Sequence, residues 1–104
     1  MSDIEVYPTD EELEIIEKWS YKDIDGFFEY IKSKWWGSNW GWTEQLDEDG
    51  NTEYHISTRG WSGNEDIIEA MHKNSQIWFY SWVQSKRGGH YIFNNEYNKQ
   101  ILDN

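Results

Sequence analysis

The run Ser57-Thr58-Arg59-Gly60-Trp61-Ser62-Gly63-Asn64-Glu65 reads as a strand end that passes through two glycines into a helix start. The first turn of a helix exposes amide hydrogens with no intrahelical partner at the positive end of its dipole. A phosphate or carboxylate can dock there if the backbone comes close. Gly60 and Gly63 permit that approach, and Arg59 offers a forked guanidinium. The competing structural reading is a capping box in which Ser62 and Glu65 already satisfy the same amides. A second cluster, Ser85-Lys86-Arg87-Gly88-Gly89-His90, sets two cations and a histidine on a hairpin tip. Alone it is a solvated turn; beside the helix start, Arg59, Arg87 and His90 converge as donors on one anion, with Asn64 adding directional hydrogen bonds.

Aromatic residues crowd the same half of the chain. Read as a strand, residues 77–83 put Ile77, Phe79 and Val83 on one face and Trp78, Tyr80 and Trp82 on the other. One face must cover the helices. The other is either covered as well or forms a shelf on which a base can stack, worth about 1–3 kcal/mol per base. Each tryptophan alone is equally an efficient core filler, but eight are hard to hide in a chain this short. The candidate ligand-binding set is therefore Arg59, Gly60, Trp61, Ser62, Gly63, Asn64, Trp78, Trp82, Arg87, Gly88 and His90.

No catalytic residues are assigned. A Ser-His-Asp order, a phosphate-binding P-loop and a dinucleotide fingerprint are all missing from the sequence. His55, His72 and His90 lack zinc-type spacing. Glu65, Glu69 and His72 share a helix face at i, i+4 and i+7, yet a solvated polar face accounts for them more simply than a metal site. The expectation is a non-catalytic binding protein with no metal and no cofactor.

The elements that must position these groups are legible as follows. Thr9-Asp10-Glu11-Glu12 is a capping box behind Pro8, opening a helix over 10–19 with Leu13, Ile15 and Ile16 as its apolar stripe. Asp23 caps a second helix over 24–34, with Phe27, Phe28, Ile31 and Trp35 inward. Asp47-Glu48-Asp49-Gly50-Asn51 joins strands 40–46 and 53–58 as a hairpin. A third helix over 63–73 turns Ile67, Ile68 and Met71 inward and stops at Asn74. Strands 76–84 and 90–94 form a second hairpin around Lys86-Arg87-Gly88-Gly89. The fold class is α+β: two N-terminal helices, then β-hairpin, helix and β-hairpin, forming a small antiparallel sheet. One domain spans 1–104, with 95–104 as a surface tail or short surface helix.

Composition narrows the partners. The chain has no cysteine, and its 9 basic and 20 acidic side chains give a net charge of −11, which opposes duplex nucleic acid and anionic membranes. That charge is uneven: residues 1–53 hold 15 of the acids, whereas 54–94 hold three acids against Arg59, Lys73, Lys86 and Arg87. The second half can accept an anion that the first repels. With neither a membrane-length apolar run nor a signal-type N-terminus, the chain is expected to be soluble and cytoplasmic. The aromatic excess further predicts a homodimer or higher assembly with tryptophans at the contact.

The stretch from Ser57 to Glu65, the Ile-Ile helix after it, Trp78, Trp82 and Ser85-Lys86-Arg87-Gly88-Gly89-His90-Tyr91 together resemble a family of small uncharacterised proteins carried by bacteriophages and prophages. The resemblance covers about residues 54–93, and glycine commonly stands there where this chain has Arg59. It implies a host bacterial cell and a role against host defence. On that footing the leading expectation is sequestration of a small anionic, nucleotide-derived ligand. The alternative is an acidic inhibitor that presents Asp10, Glu11, Glu14 and Glu17 to a host defence nuclease or nucleic-acid-binding complex.

Overall fold

The computed structural model describes residues 7–37 and 41–97. The elements are α1 (Asp10–Lys18), α2 (Ile24–Lys34), β1 (Trp42–Leu46), β2 (Thr52–Ser57), α3 (Ser62–Lys73), α4 (Ser75–Ser81), β3 (Trp82–Lys86) and β4 (His90–Asn94). The four strands make one antiparallel sheet in the order β1-β2-β4-β3. The α+β class and the order of helices and hairpins agree with the sequence reading. Trp40, the expected start of β1, lies outside the described residues.

Local signals set the helix ends. Thr9 Oγ1 accepts the Glu12 amide at 3.1 Å while Glu12 Oε1 accepts the Thr9 amide at 2.9 Å, so the reciprocal cap of α1 forms. Asp23 caps α2 by accepting the Gly26 amide at 3.0 Å. On α1, Ile16 is buried but Ile15 faces out, because neighbouring helical residues point about 100° apart and the core takes only one of them. In α2, Ile24, Phe27, Phe28 and Ile31 are all buried.

Those rings lie on the sheet face that carries Tyr54, Ile56 and Phe93. Phe28 stacks on Tyr54 at 4.2 Å between centroids and meets Phe93 at 5.4 Å, while Trp35 meets Trp42 edge-on at 5.7 Å. The β1–β2 turn closes on Asp47, whose Oδ1 accepts the amides of Asp49 and Asn51 at 2.9 and 2.8 Å, with Gly50 at φ 85°. The first residues of the expected tail are tied in: Asn95 exchanges hydrogen bonds with the Thr52 backbone at 2.8 and 3.1 Å. Tyr97 stacks on Tyr80 at 3.8 Å.

Residues 76–84 correct the sequence reading. In place of one long strand, Ser75–Ser81 is a helix and only Trp82–Lys86 is extended. Asn74 is the cause. It ends α3, its backbone amide bonding to Ala70 and Met71, and it also starts α4 by accepting the Ile77 amide on Oδ1 at 3.3 Å. Its Nδ2 donates to the carbonyls of Ile16 and Trp19, both at 3.0 Å, locking the α3–α4 corner to the end of α1. The β propensity of Ile77, Trp78, Phe79 and Tyr80 is outweighed by that buried cap. The alternation expected over 77–83 is replaced by helical spacing that buries Ile77 and Ser81 and leaves Phe79 exposed.

Replacing Asn74 with alanine removes one cap and strands two carbonyls, and we expect a loss of about 2–4 kcal/mol in urea unfolding. Acid should act through Glu12, whose carboxyl is held below its ordinary value of 4.5 by the Thr9 amide first and the Lys34 ammonium second. A carboxyl with a lowered folded-state pKa adds stability that is complete above the ordinary value and disappears as pH falls through the folded one. Glu12→Gln should therefore flatten the decline in stability below about pH 4.5, read as denaturation midpoint against pH.

Candidate functional site at the meeting of two turns

The turn after β2 closes when the Trp61 amide donates to the Thr58 carbonyl at 2.9 Å, with Arg59 at φ 55° and Gly60 at φ 74°. Both central residues are left-handed, which Gly60 adopts freely and Arg59 adopts at a cost of about 1–2 kcal/mol. The β3–β4 hairpin turns through Arg87, Gly88 and Gly89, the two glycines at φ 84° and 79°.

One backbone hydrogen bond joins the two turns, the Thr58 amide donating to the Gly89 carbonyl at 3.0 Å. Thr58 is buried, and its Oγ1 occupies the space that a side chain on Gly89 would need. Arg59, Gly60, Arg87, Gly88 and His90 are thereby held at one end of the sheet, all exposed.

The charges at this end differ from those elsewhere. Lys18, Lys34, Lys32 and Lys73 pair with Glu14, Glu12, Glu44 and Glu17 at 2.7, 3.1, 3.5 and 4.0 Å. Arg59, Lys86 and Arg87 have no carboxylate partner among the described residues, and outside this end only Lys22 shares that condition.

Trp61 lies between Tyr7 and Trp36, stacked on them at 5.1 and 4.7 Å. It is also the residue preceding α3, with no side-chain cap bond there, so the expected Ser62–Glu65 capping box does not form. Ser62 is already the first helical residue, and its exposed hydroxyl faces the Tyr7 hydroxyl at 3.5 Å. Nor is the helix start open to an anion at Gly63. A Cβ there would lie 2.9 Å from Trp61 Nε1 and 3.3 Å from Pro8 Cδ. That Nε1 is buried without a hydrogen-bond partner among the described residues. Asn64 is buried too: its Oδ1 accepts the Trp36 amide at 3.0 Å, and its Nδ2 donates to the carbonyls of Trp36 at 2.9 Å and Thr58 at 3.5 Å. Ser62, Gly63 and Asn64 thus build the corner, and Asn64 brings Trp36 beside the 58–61 turn.

Trp78 and Trp82 do not join this group. Trp78 is half-buried, edge-on to His72, Phe93 and Tyr91 at 4.7, 5.3 and 6.3 Å. Trp82 pairs with Phe93 at the opposite end of β3 from Lys86, and its Nε1 donates to Ser85 Oγ at 2.8 Å. There it lines a hollow of about 380 Å³ with Val83, Tyr80, Tyr97, Glu53 and Glu96. Among the described residues no three histidine, aspartate or glutamate side chains gather to hold a metal; Glu65 and Glu69 are exposed and His72 packs on Trp78.

The sequence reading missed Thr58, Gly89, Tyr7 and Trp36. Only the glycine doublet carried a local signal, since the other three become neighbours of the site through the fold. Comparison with family models, curated proteins and solved structures gives no match. No helix among the described residues is long and apolar enough to cross a membrane.

Two substitutions test the joint. Gly89→Ala meets Thr58 and is left-handed, and should cost about 2–4 kcal/mol. Gly88→Ala meets nothing within 4 Å and should cost only its backbone strain, about 1–2 kcal/mol, in the same unfolding assay.

Proposed function

We propose that this chain is a non-catalytic binding protein that captures a small phosphate-bearing, nucleotide-derived anion where the two turns meet. The observation that carries the reading is the Thr58–Gly89 hydrogen bond, which draws the unpaired Arg59 and Arg87 and the exposed His90 to one end of an otherwise acidic molecule. Guanidinium forks grip phosphate oxygens from two directions, and His90 adds a donor. The stacked rings of Trp36 and Trp61 stand beside the same turn, an aromatic neighbourhood that suits a nucleobase. Surrounding carboxylates repel long polyanions while leaving room for a short one.

The resemblance of residues 54–93 to phage-borne proteins supplies the setting: capture of a defence signal in the cytoplasm of a host bacterium. The acidic-inhibitor alternative has less support, because two of its four carboxylates, Glu14 and Glu17, already lie within 4.0 Å of lysines.

Calorimetry with cyclic and linear nucleotides, including adenosine-diphosphate-ribose derivatives, tests the reading. Arg87→Ala should weaken the bound nucleotide by about 1.5–3 kcal/mol, and raised salt should weaken it further. Arg59→Gly should also lower affinity while leaving stability unchanged or about 1 kcal/mol higher, since glycine relieves the left-handed strain. If no nucleotide binds, and charge reversal at Glu11 and Glu14 abolishes activity in infected cells, the acidic inhibitor replaces this reading.

A further inference from the structure

The hollow beside the start of β3 exists because the sheet runs out unevenly. Asn94 pairs with Glu53 of β2, but β3 begins at Trp82, opposite Phe93, so no β3 residue pairs with Asn94 on its other side. The chain reaches that place as the end of α4 and leaves it after β4, where Tyr97 stacks on Tyr80 at 3.8 Å with the two planes 1° apart. About 380 Å³ stays open there. That volume falls within the range of about 300–1,000 Å³ that small-molecule sites occupy.

The lining has one chemical character. Glu53 and Glu96 bring carboxylates, Tyr80 and Tyr97 bring rings, Trp82 and Val83 add apolar surface, and no lysine, arginine or histidine lines it among the described residues. Glu53 Oε1 is bonded to Gln45 and His55 at 3.1 and 2.8 Å, whereas the Glu96 carboxylate is exposed and has no cationic partner among the described residues. A third carboxylate stands behind the wall, since Asp47 accepts the Asn94 side-chain amide at 3.1 Å. The hollow is therefore a negative, aromatic recess. A metal ion fits it poorly, because hard cations need several oxygen ligands and no three metal-ligating side chains gather among the described residues. An organic ammonium fits on every count: a carboxylate accepts its N–H groups, aromatic rings attract its charge, and its hydrocarbon body covers apolar lining.

We propose that this hollow binds a small alkylammonium ion, with Glu96 as its main charge partner and the Tyr80–Tyr97 pair as its aromatic wall. The net charge of −11 raises the local concentration of such a cation. The site is separate from the cationic turns. Lys86, opposite His90, lies four residues along β3 from Trp82, about 13 Å away at roughly 3.3 Å per residue. It therefore stands apart from the anion reading.

The probe is n-butylammonium, titrated into the full chain at low ionic strength and followed by amide chemical shifts. The shifts should saturate and centre on Ser81, Val83 and Glu96. Glu96→Gln should weaken binding by about three- to tenfold, the scale of a charge-assisted hydrogen bond reduced by solvent at an exposed carboxylate. Tyr97→Leu should weaken it by about threefold through the lost ring, with amide shifts elsewhere showing that the fold is kept. The neutral isostere n-butanol should bind at least about tenfold more weakly than the cation. Shifts that never saturate overturn the proposal. So does equal affinity for butanol, or binding that neither substitution changes.

Discussion

The buried amide of Asn74 ties α1, α3 and α4 together. By ending one helix, starting the next and binding two carbonyls at the end of α1, it sets the corner at which the chain leaves the helical layer. The length of α4 follows, and with it the residue at which the chain becomes extended. Because α4 uses seven residues, β3 begins at Trp82 and is short. Its apolar start, Trp82 and Val83, lies exposed at the sheet edge. The hollow, the exposed edge and the separation of Trp82 from the cationic turns all descend from that one amide.

Charge is organised by the same architecture. The helical half carries most of the carboxylates, and lysines placed on or against those helices are taken up in ion pairs. The turns at the end of the sheet lie beyond their reach, so their arginines stay unpaired. A strongly negative chain thus presents a small positive end because of where its turns fall, with no change in overall composition.

Much of the fold was legible because its signals were local. Thr9 with Glu12, Asp23 and the Asp47–Asn51 turn each act over three or four residues, and each formed as read. Residues 76–84 misled because β-branched and aromatic types favour a strand, whereas Asn74 draws its strength from partners more than fifty residues away. The same limit applies to the site. Arg59, Arg87 and His90 were visible as chemistry and do share one end of the sheet. Trp82 was assigned to them by alternation along a strand that is largely helix. Asn64 looked like a ligand donor, yet its hydrogen bonds go to Trp36 and Thr58, which no pattern in the sequence connects to it.

The stack of Tyr7, Trp61 and Trp36 has an optical consequence. Two indoles stacked with centroids 4.7 Å apart and planes 25° from parallel share their electronic excitation, and that coupling depends steeply on separation and tilt. Trp36 is bonded through Asn64 to the corner that carries the cationic turn. Motion of that corner by a fraction of an ångström therefore changes the colour and handedness of the light these rings absorb. The protein carries a built-in chromophore pair at the end of the sheet where its free positive charge collects.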